Sequence, residues 1–224
     1  MASKESLQNS LERYEEALSN KSNKLSDLDD WYRNELQSTV QSRKSSKDGA
    51  YLTTTELVKL MKWKLTRGKF RPRLEQLAGS NSNDMVKNTT KEAFALLSKS
   101  TSIDSAKQSL LKLNCLKGIG PATSSAILAL FSPDSLPFMS DEALKFAAGL
   151  SEKPKYTVKE WEWFVTEMRK RMKKEDWSGT DELEKAAWSF AVLKPSINDA
   201  GEKNTKRAAV EAELSSSAKR IKRK

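Results

Sequence analysis

The sequence has no histidine and a single cysteine, Cys115. The first absence removes His-based triads, imidazole general bases and every zinc site that needs a histidine ligand. The second removes an internal disulfide, a Cys-rich zinc site and a four-Cys iron–sulfur cluster, and it fits a reducing compartment. Glycine and proline are scarce, at 8 and 6 in 224 residues, so few positions interrupt a helix. No stretch approaches the roughly 18 apolar residues of a membrane span, and the opening MASKESLQNSLERYEEAL lacks the apolar core of a targeting segment. Together these absences predict a soluble intracellular chain with no membrane contact, no metal and no cofactor.

What is present is charge and helical spacing. The 40 basic residues outnumber 30 acidic ones, leaving +10, while 37% hydrophobic content suffices for one large or two small domains. Apolar residues recur at three- and four-residue intervals, so the fold class read from the sequence is all-α. Leu7, Leu11, Tyr14 and Leu18 share one helical face and Leu28, Tyr32, Leu36 and Val40 another, which predicts two antiparallel helices. The polar stretch from Gln41 to Ala50 reads as a linker, so residues 1–49 are expected to be a helical extension whose apolar faces could dock a protein partner. Residues 50–193 are expected to form the main domain. It starts with the capping-box spacing Thr53-x-x-Glu56 and the stripe Leu57, Met61, Leu65, which stops at Gly68. Further helices are expected after Pro72, from about Asp84 to Lys99, Ser102 to Leu116, Pro121 to Phe131 and Asp141 to Ala148, and around Trp161–Met172 and Leu183–Ala191.

The most specific segment is LLKLNCLKGIGPATSSAILALF, residues 110–131. Apolar helical spacing flanks a Gly118-Ile119-Gly120 turn, and Pro121 stands at a helix first position. Gly118 and Gly120 both permit positive φ and close backbone approach. The N–H groups of Gly118, Gly120, Ala122 and Thr123 could then face an anionic oxygen, while Leu113, Leu116, Ile119, Ala126 and Ile127 pack the two helices. An ordinary αα-hairpin is the plainer reading of the same pattern. Cys115 is read as a small core residue, as are Trp161, Trp163, Trp177 and Trp188.

This segment resembles the helix-hairpin-helix motif, and GIGPATSSAILALF followed by LPFMSDEAL is similar to the helix-hairpin-helix superfamily of base-excision DNA glycosylases. The resemblance covers roughly residues 110–148. It implies a glycosylase-like helical fold, with Lys117, Gly118, Ile119, Gly120, Ala122 and Thr123 at the DNA backbone. It also implies a catalytic aspartate at Asp141, 19 residues beyond Ala122. Bifunctional members carry a lysine where this chain has Ala122, so the resemblance implies only monofunctional, water-using chemistry without lyase activity. Phe146 stands where the superfamily has a basic residue. Asp141 could equally cap the helix that follows it, with Ser140 as the rival cap.

Lys59, Lys62, Lys64, Arg67, Lys69, Arg71 and Arg73 fall within fifteen acid-free residues, interleaved with Trp63 and Phe70. Such a run suits phosphates and base stacking, or else a solvated face with both aromatics in the core. From this run Lys59, Lys62, Arg67, Lys69, Arg71 and Arg73 are taken as the nucleic-acid-binding cations. Residues 194–224 carry nine basic residues against four acidic ones and few apolar ones, the composition of a disordered basic tail. Its clusters Lys206-Arg207 and Lys219, Arg220, Lys222, Arg223, Lys224, eleven residues apart, resemble a bipartite nuclear localisation signal read by an importin-type receptor. The resulting expectation is a nuclear DNA-repair-type protein that binds nucleic acid, in the first place duplex DNA, through the hairpin and the basic run. A monofunctional glycosylase using Asp141 and a protein-interaction scaffold are the alternatives.

Overall fold

The computed structural model describes residues 2–149 and 154–193; the basic clusters of the tail lie outside them. Among the described residues there are helices and no strand. In chain order these are α1 Lys4–Glu12, α2 Tyr14–Lys21, α3 Leu25–Asp30, a π-helical turn Trp31–Leu36, α4 Gln37–Lys44 and α5 Thr54–Arg67. They are followed by α6 Pro72–Gly79, α7 Asn83–Lys99, α8 Ile103–Leu113, α9 Pro121–Phe131, α10 Asp141–Ala148, α11 Val158–Glu175 and α12 Thr180–Leu193. The chain is therefore all-α.

The capping box of α5 forms as its spacing predicts: the Thr53 hydroxyl accepts from the Glu56 amide and the Glu56 carboxylate accepts from the Thr53 amide. The second expected N-terminal helix holds its face by a less regular route. An ideal helix turns about 100° per residue, so residues four apart drift by about 40° at each step. Leu28, Tyr32, Leu36 and Val40 are nevertheless all buried, because the wider π turn at Trp31–Leu36 takes back part of that drift. The first expected helix is broken at Arg13, whose φ of −101° and ψ of 23° interrupt the ladder between α1 and α2.

The expected division at residue 49 is not a division of the core. Leu7, Leu18, Tyr32 and Val40 belong to the same buried cluster as Trp63, Ile127 and Trp188. Helices α1 and α2 pack on α12, α3 on α5, and α4 on α9. The apolar faces offered to a docking partner are thus already covered. Residues 41–50 are not a free linker either. Gln41 donates to the carbonyls of Leu130 and Phe131 at the end of α9, and Arg43 makes a bidentate pair with Glu56 at 2.8 Å for both bonds.

Beneath these helices runs a buried charge network. Glu184 takes both ends of the Arg67 guanidinium, at 2.7 and 3.1 Å, and a third bond from Arg33 at 3.2 Å. Arg33 also pairs with Asp181 at 2.7 Å and Asp29 at 3.1 Å. Asp29 in turn accepts from the Tyr14 hydroxyl and the Trp63 indole, each at 2.8 Å. Tyr32 stacks on Trp63 with ring centroids 3.6 Å apart and donates its hydroxyl to the Ala126 carbonyl of α9. Both ends of the described chain are tied to its middle.

Two other expectations are corrected. Cys115 is exposed: α8 ends at Leu113, and in the turn that follows it is Leu116 that points inward. Trp161, Trp177 and Trp188 are buried, but Trp163 is 40% exposed on the outer side of α11.

Candidate functional site

The helices α8 and α9 are joined by a glycine turn that is held from below. Asn81 clamps it: its side-chain amide donates to the Lys117 carbonyl at 3.0 Å and its oxygen accepts the Lys117 amide at 2.9 Å. Gly118 has φ +77°, and a Cβ there would lie 2.9 Å from the Leu77 Cβ and 3.2 Å from the Leu74 carbonyl oxygen. Both reasons for glycine therefore fall on Gly118. Gly120, expected to share them, is extended at φ −117° and ψ −177°, with no atom within 4 Å of an added Cβ.

Gly118→Ala is accordingly expected to destabilise by about 1–3 kcal/mol, whereas Gly120→Ala should be neutral or stabilise by about 0.4–1 kcal/mol. Urea unfolding of the two variants beside the parent chain checks the difference.

Of the four amides expected to face an anion, three keep that capacity. Among the described residues the N–H groups of Gly118, Gly120 and Ala122 meet no acceptor, while that of Thr123 donates to the Gly120 carbonyl at 2.9 Å. The Ile119 amide bonds to the Leu116 carbonyl and its side chain is buried, so Ile119 serves packing. Lys117 is exposed and its backbone is engaged by Asn81.

A cavity of about 360 Å³ opens beside this turn. Its wall brings together Gly118, Gly120, Ala122 and Thr123 from the turn and α9, Ser140, Asp141 and Glu142 from the start of α10, and Lys64, Lys69 and Arg71 from α5 and the segment after it. Tyr156 closes the remaining side. Two helix N-termini, of α9 and α10, thus converge on one space, and their partial positive charge favours a negative ligand.

Asp141 sits inside the first turn of α10 and not at its cap. Ser140 is the N-cap, its hydroxyl accepting the Ala143 amide at 3.2 Å while donating to Glu184 at 2.6 Å. The Asp141 carboxylate is thereby free for the cavity, where it accepts the Tyr156 hydroxyl at 2.5 Å. Tyr156 carries φ +53°, a conformation uncommon for a bulky residue. Glu160 imposes it by accepting the backbone amides of Lys155 and Tyr156, the latter at 2.6 Å. Burial and the bond to Asp141 raise the Tyr156 phenol above its ordinary pKa. Burial likewise raises the neighbouring Glu142 carboxyl.

The basic run divides by position. Lys69 and Arg71 are exposed at the rim, and Phe70 between them is 76% exposed. Arg73 and Lys62 are exposed but line no part of the cavity. Lys59 lies over the Trp31 ring at 4.4 Å, in a depression with Asp27, Asp30 and Glu35, so acids surround it on another face. Arg67 is 1% exposed and committed to Glu184. It continues the inward stripe Leu60, Trp63, Arg67, and helical spacing overrides the charge that suggested solvent.

Two further residues complete the wall: Tyr156, which the sequence reading did not name, and Lys64, which it placed in the basic run but not among the binding cations. Tyr156 comes from the Pro154-Lys155-Tyr156 turn, where nothing in composition marks it. Lys64 was legible: it stands four residues after Leu60 and three after Met61, both fully buried, which places an amine on an apolar stripe. Burial, reinforced by Arg71 and opposed by Asp141, pushes its pKa down to about 8.

The chain matches no family model, no curated protein and no solved structure. Fold and site together define an all-helical chain with a cation-rimmed cavity that holds one aspartate–tyrosine pair. Among the described residues no cluster of side chains suits a metal ion, and no helix is long and apolar enough to cross a membrane.

Proposed function

We propose that the protein binds duplex DNA and receives one extruded nucleotide in the cavity beside Asp141. The observation that carries this reading is the shared wall: a 360 Å³ space bounded at once by the open amides of the glycine turn, the Asp141 carboxylate and the Lys69–Arg71 rim. A flipped base needs an enclosed site of about 300 Å³ or more. The amides of Gly118, Gly120 and Ala122 hold a backbone phosphate, Lys69 and Arg71 add electrostatic affinity, and exposed Phe70 offers a stacking face. Similarity of the turn and of the Asp141 segment to the helix-hairpin-helix glycosylases points the same way. Nuclear import through the two basic clusters of the tail belongs to the same reading.

The bond from Tyr156 favours a second step. It holds Asp141 at the cavity wall, where a carboxylate could support an oxocarbenium-like sugar and orient water, releasing a damaged base as in a monofunctional glycosylase.

The binding reading is tested by fluorescence anisotropy of a labelled duplex at 50–300 mM salt. Affinity is expected to fall linearly on a log–log plot, with a slope of about −0.9 for each phosphate neutralised. The double variant Lys69→Glu/Arg71→Glu should flatten that slope by about two units. Salt-independent binding, or no binding at the lowest salt, would overturn the reading.

A further inference from the structure

We propose that a second basic surface, at the opposite end of α5 and α9 from the cavity, holds a second segment of duplex DNA, so that one chain bridges two duplexes. The inference rests on the DNA-binding reading above, which supplies the first duplex. The surface is assembled from separate stretches of chain. The end of α4 and the turn after it carry Lys44 and Lys47, and α7 carries Lys87 and Lys91. Tyr51 joins the two: its ring centroid lies 5.3 Å from the Lys87 amine and 4.2 Å from the Arg43 guanidinium. A Cβ on Gly49 would stand 3.9 Å from the Lys91 Cε, which brings Lys91 to the same turn.

What sets these lysines apart is how their charge is held. Elsewhere Lys107, Lys112 and Lys185 pair with Glu162, Glu92 and Asp181. Among the described residues Lys44, Lys47, Lys87 and Lys91 form no ion pair. Lys87 leans on Tyr51, and Lys44 lies 4.2 Å from the centre of the Phe131 ring. An aromatic face orients a cation without cancelling its charge, so the charge stays available to a phosphate. Arg43 is neutralised by Glu56, and Asp48 is the one acid of the turn. Gln41 and Lys44 donate to the carbonyls that end α9, which blunts the negative end of that helix. Lys87 and Lys91 stand one turn apart, about 6 Å along α7, a spacing of single charges that suits the repeating phosphates of a strand. None of the large exposed apolar side chains belongs to this surface, so it lacks the apolar centre of a protein interface.

Its place in the fold separates it from the cavity rim. Helix α5 starts beside Tyr51, at the Thr53 cap, and ends at Gly68, where the rim segment begins. Helix α9 runs the other way, from the glycine turn to Phe131 under Lys44. With 14 and 11 residues, the two helices span about 21 Å and 16 Å. Duplex DNA is stiff over about 150 base pairs, so one short duplex laid on the rim does not fold around the molecule to reach the far end. A second duplex occupies that end.

The test titrates the full chain, at low salt and well above the dissociation constant, with a dye-labelled duplex of about 12 base pairs, far shorter than the length over which DNA bends. The parent is expected to take up two duplexes per chain, and to retain the labelled duplex on beads that carry an unlabelled one. Lys87→Glu/Lys91→Glu should take up one and lower the retention by about fivefold or more. Lys69→Glu/Arg71→Glu should do the same by emptying the rim. In the parent, acetylation of Lys47 and Lys91, read by peptide mass spectrometry, should slow by about threefold or more at saturation, because bound phosphates cover both amines; this readout needs no variant to fold. A single duplex taken up by the parent, or acetylation unchanged at saturation, overturns the inference and leaves the DNA reading standing. Two duplexes still bound by Lys87→Glu/Lys91→Glu also overturn it, and place the second segment on another part of the chain such as the basic tail. Two still bound by Lys69→Glu/Arg71→Glu overturn the rim as the first site, and the bridge with it. No uptake by the parent overturns both readings.

Discussion

Replacing Glu184 by glutamine is expected to lower stability by about 3–5 kcal/mol. The shape of the side chain is retained, so the loss reports charge and not a cavity. Glu184 is fully buried and is the shared acceptor of Arg33 and Arg67. With its charge gone, two buried guanidinium groups are left with Asp29 and Asp181 for compensation. At about 2–4 °C per kcal/mol for a chain of this size, the melting temperature should fall by roughly 6–20 °C. The Arg43–Glu56 pair, about one-fifth exposed, is the internal comparison: Arg43→Gln should cost only about 1 kcal/mol. Thermal unfolding followed by circular dichroism reads both, and equal effects would mean that burial of the network is not what gives it weight.

The same network sets the acid limit of the fold. Burial drives the Asp29 carboxyl upward, but Arg33, Arg67 and the bonds from Trp63 and Tyr14 overcome it and hold the group below its ordinary value. As pH falls, the unfolded chain takes up this proton before the folded one does. The stabilisation is therefore complete above the ordinary carboxylate range and is lost as pH drops below about 4.

Asp141→Asn is expected to reduce base release by about 100-fold or more, if cleavage of the glycosidic bond is the reaction of the cavity. Asparagine can still accept the Tyr156 hydroxyl through its carbonyl oxygen, so the wall keeps its shape while losing its charge. DNA binding by the variant should stay within about threefold of the parent. The measurement is a panel of duplexes carrying alkylated, deaminated or oxidised bases, with alkali added afterwards so that abasic sites and nicks are both counted. Release undiminished in Asp141→Asn would remove the carboxylate from the mechanism. Without the alkali the strand should stay intact, because water-using chemistry releases the base and leaves an abasic site.

Much of this arrangement could be read before any coordinates. The capping box at Thr53 and Glu56 and the bounds of α9 and α10 follow from local signals, whereas the approach of the glycine turn to Asp141 is implied only by the resemblance of that segment to the helix-hairpin-helix glycosylases. Those signals are spacing, a proline at a first helical position and a cap residue. The fates of Arg67 and Lys59 did not follow, because their partners lie far along the chain or on another face. Arg67 meets Glu184 117 residues later, and no local pattern announces that acid. Helical phase alone would have turned Arg67 inward, and Lys64 with it; the density of positive charge in that run argued the other way and concealed both. Tyr156 depends on a backbone conformation fixed by a carboxylate four residues downstream, a relation that composition does not carry.

The cap of α10 ties the cavity to the ends of the chain. Ser140 is fastened to Glu184, and Glu184 is positioned by Arg33 from the N-terminal helices and Arg67 from α5. Take away the first forty-nine residues, and Asp29 and Arg33 go with them. The fault then passes through Glu184 to Ser140 and into the turn that carries Asp141. The helices that looked like an appendage thus brace the turn that carries the cavity's aspartate, and Lys21 of α2 reaches Glu142 of its wall directly.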